Sequence, residues 1–258
     1  MALDEWWAYY AGSLEDGTAA NGYGPYILAE KHSKAFGTGG RKMGNGGVSS
    51  VNAILLAGTK EIKSLMGAAG NDLKINDIIK CMRAQIKVPI IQGCIEYAYK
   101  TDPTTKYPGD STNPGRKAEM WAFCAGVLPF LYEVNPADAK VLRAETDIVP
   151  IDTKDPSFTK IKGVFLAGNL NKMGVSCKDI GGFVPGVAST SATTVGSDFA
   201  ECTDTASIAN AHADTTKCIG AWNDASPATS DANHHTASAL SMAASFIIMS
   251  SAVLMSTA

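Results

Sequence analysis

Two oxygen donors, Glu5 and Tyr9, stand four residues apart in the stretch EWWAYYAGSL, a spacing that puts both on one face of a helix. Tyr26 and Glu30 repeat the spacing in the next segment, and Gln92, Glu96 and Tyr99 share a face in a third. Glu119 opens a second decamer, EMWAFCAGVL, identical to the first at six of ten positions. Carboxylates suit hard cations, and phenolate extends that preference to ferric iron. The candidate ligands are therefore Glu5, Tyr9, Glu96, Tyr99 and Glu119, for a hard cation such as Fe3+. Pseudo-symmetric packing of the two decamers would bring Glu5 and Glu119 together. Because Tyr9 aligns with Phe123 and Tyr10 with Cys124, the first copy is expected to carry most of the oxygen chemistry and the second mainly Glu119. Each glutamate would also lie in the first turn of its helix, where a carboxylate complements the macrodipole without any ligand. Tyr9, Tyr10, Tyr97 and Tyr99 suit a core or an interface equally well.

Other chemistry finds less support. No GxSxG elbow is present, and the histidines are His32, His212, His234 and His235. The stretch GTGGRKMGNGG lacks the order of a phosphate loop and reads as a solvated turn. With no flavin, haem or nicotinamide signature, the chain reads as a binding protein rather than an enzyme. A structural or adhesive surface module is the rival reading. Lys31, Lys34, Arg41 and Lys42 form a solvated basic face, from which one group could hold an anion beside a metal.

The elements that must position these residues are helical. Trp7, Ala11 and Leu14, and likewise Trp121, Ala125 and Leu128, fall at i, i+4 and i+7, which predicts one packing face kept by both copies. The matched Gly12 and Gly126 predict a helix crossing or a shared turn. The duplication continues as VNAILLAG (51–58) with IKGVFLAG (161–168), and as MGAAGNDL (66–73) with MGVSCKDI (173–180). Two helical units follow, at about 3–73 and 117–180, inside a domain spanning 1–186. Between them Ile75, Ile78, Ile79, Met82 and Ile86 recur at helical spacing, Val88 and Pro89 break the helix, and a second runs from Ile90 to Tyr99. No strand alternation persists. The predicted fold is mainly α, with the units packed about a pseudo-two-fold axis.

The 258 residues carry 22 basic and 25 acidic side chains, interspersed, so no basic stripe follows a phosphate backbone and nucleic acid is not an expected partner. None of the six cysteines forms a CxxC pair; Cys202 and Cys218 bracket a short polar loop and are the first candidates for a disulfide. Residues 187–236 read as an Ala/Ser/Thr-rich stalk. The uncharged run 237–258, after a polar spacer, reads either as a glycolipid-anchor signal with attachment near Asp224, Ser230 or Asn233, or as a retained tail helix. Either would tether the protein to a membrane. The opening MALDEWWAYY is helical rather than leader-like, so a secretory signal is expected to be missing from this chain.

DEWWAYYAGSLEDG, GYGPYILAEKHSKAFGT, KVPIIQGCIEYAYKTD, AEMWAFCAGVLPFL and MGVSCKDIGGF together resemble the low-iron-inducible periplasmic proteins of algae, which include the phytotransferrins. The likeness covers roughly residues 3–185. It implies a periplasmic or surface-attached protein that captures ferric iron, with carbonate as synergistic anion in the phytotransferrin branch and with uptake or endocytosis partners at the surface. The family fixes no ligand residues here; the five candidates rest on spacing alone.

Overall fold

A computed structural model describes residues 2–12, 24–39, 49–67, 69–105, 113–147 and 155–183. The stalk, the apolar tail, Cys202, Cys218, Arg41 and Lys42 lie outside the described residues, as do the anchor and tether expectations attached to them. Within those limits the protein is helical, without strands. The helices are α1 (Ala2–Ala11), α2 (Pro25–Phe36), α3 (Ser50–Leu65), α4 (Asp72–Thr101), α5 (Pro114–Val134), α6 (Pro136–Thr146), and the short α7 (Phe158–Gly163), α8 (Ala167–Lys172) and α9 (Cys177–Ile180).

Helix starts follow local chemistry. Pro occupies the first turn of α2, α5 and α6, where its missing N–H costs nothing. Ser49, Asn113, Asn135 and Ser157 cap α3, α5, α6 and α7 by accepting a backbone N–H on the side chain. Ser176 and Asp179 form a reciprocal capping box on α9.

The axis of the fold is α4, which packs against α2, α3, α5, α7 and α9. From Val88 to Ala98 every residue of α4 is buried, so this stretch is a core helix enclosed on all sides. The sequence expectation of a break at Val88 and Pro89 is corrected here: Pro89 sits inside one continuous helix of 30 residues. A proline interior to a helix sacrifices one hydrogen bond and costs about 3 kcal/mol. Burial of Val88, Ile90, Ile91, Cys94 and Ile95 offsets that cost, at about 1.5–3 kcal/mol for each large apolar side chain.

The two decamers do not play equivalent parts. In the first, α1 stops at Ala11 and Gly12 turns the chain with φ +79°, a conformation that favours glycine. In the second, the helix runs on past Gly126, where an added Cβ would sit 3.1 Å from Ile90 of α4. One glycine makes a turn and the other a crossing. The packing face expected of the second copy is also corrected, while in the first Ala11 is buried, Trp7 packs against the core and Leu14 lies outside the described residues. On α5 the buried stripe is Met120, Cys124, Val127 and Leu131, whereas Trp121 is exposed and Ala125 and Leu128 are half-buried. The second repeated block diverges too, since VNAILLAG lies within α3 whereas IKGVFLAG spans the turn between α7 and α8. The third holds its shape: Gly67 and Gly174 both take positive φ in turns between helices.

Candidate functional site

The second half of α4 presents Glu96, Tyr97 and Lys100 to α2 and α5. Glu96 is almost fully buried and ionic on both oxygens: Oε2 accepts from His32 Nδ1 of α2 at 2.8 Å, and Oε1 from Lys100 Nζ at 2.6 Å. Burial alone would raise its pKa. The hydrogen bond and charge of His32, and then Lys100, outweigh burial and hold the carboxyl at about 2. An ionised carboxylate can only accept, so His32 Nδ1 must donate. The Nε2 of the same ring is buried and has no hydrogen-bond partner. A carboxylate fixing one imidazole nitrogen while the other is left available is the arrangement that orients histidine as a metal ligand.

Beside this pair, Tyr97 is fully buried. Lys31 Nζ donates to its hydroxyl at 3.1 Å and Arg116 Nη1 at 3.5 Å. The hydroxyl in turn hydrogen-bonds the Glu119 carboxylate. Lys31, Lys100 and Arg116 also lie 5.7, 4.8 and 5.6 Å from the Tyr97 ring centroid. Burial, with the charges of Glu119 and Glu96, pushes the phenol well above its usual range, so it is protonated until something replaces the proton. Glu119 is half-buried and pairs with Arg116 at 2.9 Å.

Sequence reasoning finds part of this set. The structure brings Glu96 and Glu119 together around one phenol, but that phenol is Tyr97, not Tyr99. Tyr99 packs edge-on against Phe158 and Phe183, 5.2 and 5.3 Å between centroids. Tyr9 is 74% exposed, and Glu5 is exposed in the first turn of α1. The pairing of Glu5 with Glu119 is therefore not formed: Glu119 turns to Arg116 and Tyr97 while Glu5 faces solvent. Glu119 is not a first-turn residue either, because α5 starts at Pro114. Sequence reasoning misses His32, Tyr97, Lys100 and Arg116. The i, i+4 spacing of Glu96 with Lys100 and the i, i+3 spacing of Arg116 with Glu119 were usable local signals. His32, 64 residues from Glu96, had none.

Among the described residues no three His, Cys, Asp or Glu side chains converge as a metal cage, so the phenol is what could complete a ligand set here. The cluster is pinned from below by the disulfide between Cys94 and Cys124, which ties α4 to α5. Cys81 and Cys177 are also disulfide-bonded. No described helix is long and apolar enough to cross a membrane. No family model matches the chain, and no curated protein or solved structure matches it.

Proposed function

We propose that the protein binds ferric iron as cargo, for capture at a cell surface or in a periplasm, and is of the low-iron-inducible type its motifs resemble. The observation that supports this reading is the meeting of hard donors at Tyr97. Its hydroxyl bonds the Glu119 carboxylate, the Glu96 charge acts on it, and the His32 ring, with its Nε2 unpartnered, packs edge-on against the Tyr97 ring at 6.3 Å between centroids. Iron would take Tyr97 as phenolate with the Glu119 carboxylate, while the bonded pair of Glu96 and His32 lies beside them. Lys31 and Arg116, which both donate to the phenol oxygen, are suited to a carbonate bound with the metal. The apolar run 237–258 would tether the protein to its membrane.

The test is titration of the full chain with ferric nitrilotriacetate in bicarbonate buffer, followed by its visible absorption. A phenolate-to-iron charge-transfer band is expected, lost in Tyr97→Phe and kept in Tyr9→Phe and Tyr99→Phe. A band that survives Tyr97→Phe would overturn the site. Equilibrium dialysis with no iron retained would overturn the function.

A further inference from the structure

Three groups of the candidate site are closed off, whereas Glu119 is half-buried. His32 and Tyr97 are 0% exposed and Glu96 is 6% exposed, so an ion reaches them only if a neighbour moves. One side chain touches both rings and is itself half-buried: Phe123 of α5. It stacks on Tyr97 at 5.4 Å with 9° between planes and meets His32 edge to face at 5.0 Å and 89°. On its other side the ring lies against the bare backbone of Gly93, where an ideal Cβ would stand 2.6–2.9 Å from three ring atoms.

The backbone around this ring is locked. Cys94, next to Gly93, is bonded to Cys124, next to Phe123, with the Cα atoms 4.7 Å apart. The helices cannot part at this level without breaking a covalent bond. A side-chain rotation of Phe123 meets no covalent restraint: in the closed position the ring fills the notch left by the absent side chain at Gly93, and, being half-buried, it opens by leaving that notch toward solvent. In the aligned position of the first decamer stands Tyr9, which faces solvent and covers nothing.

We infer that Phe123 is a side-chain shutter over the buried His32 and Tyr97, opening by its own rotation between helices that the Cys94–Cys124 disulfide keeps closed. Its consequence for metal capture rests on the iron reading above, whereas the shutter itself is defined by access to His32.

The experiment therefore uses a probe that needs no iron. Diethyl pyrocarbonate acylates an accessible imidazole nitrogen, and peptide mass mapping of the full chain separates His32 from the other three histidines. Rotation of one ring exposes little surface, so wild-type labelling of His32 is expected to be independent of urea at low concentration, well below the unfolding transition. Phe123→Ala, and to a smaller degree Phe123→Leu, is expected to raise that urea-independent rate by about tenfold or more. If wild-type His32 is labelled only at a rate that follows global unfolding in urea, or if a folded Phe123→Ala is labelled no faster, the shutter is refuted. If labelling behaves as expected but the chain retains no ferric iron, the iron reading fails and the shutter stands.

Discussion

Replacing Glu96 by Gln probes the centre of the cluster through its acid sensitivity. The Glu96 side chain is 8% exposed and accepts from His32 and Lys100 on separate oxygens. Its carboxyl titrates at about 2 in the folded protein, against an ordinary 4.5. At about 1.36 kcal/mol per pH unit, the difference stabilises the folded state by about 3 kcal/mol. The folded pKa is depressed, so this contribution is complete above pH ~4.5. It falls by about 1.4 kcal/mol for each unit below that and is gone near pH ~2. Glutamine can accept from one neighbour but turns an N–H2 toward the other. Urea unfolding followed by far-ultraviolet circular dichroism should thus show wild type ahead of Glu96→Gln by about 3 kcal/mol at pH 6 and by about 1 kcal/mol or less at pH 2.5. A gap of equal size at the two pH values would mean that Glu96 is held by packing, not by its charge, and would refute the electrostatic account.

Three further outcomes are expected. Replacing Cys94 and Cys124 together by Ala opens a loop of sequence separation 30 and should lower the unfolding free energy by about 3–4 kcal/mol in chemical denaturation. Asn52→Ala leaves the Tyr10 hydroxyl and Glu30 Oε1 each short of a buried partner, now met at 2.5 and 2.7 Å, and should cost about 2–4 kcal/mol by the same measurement. Because burial and two carboxylates keep Tyr97 protonated, ferric iron bound as proposed must displace its proton, so the apparent affinity should rise about tenfold per pH unit for that one proton; competition titrations at pH 6.5, 7.5 and 8.5 that give a flat profile would exclude Tyr97 as the phenolate.

The helical class was legible because apolar spacing of 3.6 persists along the chain. Pro89 misled because a local rule was applied to a segment whose stability is tertiary. The same burial explains the choice of Tyr99 over Tyr97. Reasoning by helix face assumes that a helix has a wet side, so residues three or four apart belong together. Between Val88 and Ala98 α4 has no wet side. Adjacent residues there work on adjacent walls, Glu96 toward His32 and Lys100, Tyr97 toward Phe123, Lys31 and Arg116. The pairing of His32 with Glu96 depends on how α2 docks against α4, and no local spacing encodes that.

The repeated decamer carries the deeper lesson about where chemistry can sit. Its sixth position is buried in both copies, as Tyr10 at 1% exposure and Cys124 at 0%. In each case it anchors the helix to another, Tyr10 by donating to Asn52 of α3 and Cys124 through the disulfide to α4. The fifth position then takes its character from whatever lies alongside. Beside α1 that position is open and a polar Tyr9 faces water; beside α4 it meets Tyr97 and His32 and is apolar Phe123. Counting oxygen donors assigns the site to the first copy, since it has the extra tyrosines. A buried cluster of donors requires walls, and the walls belong to α4 and α5. The second copy, poorer in donors, borders the donors of α4 and α2, and its own contribution of Glu119 and Phe123 is what a closed site needs from a flanking helix: one charge and one cover.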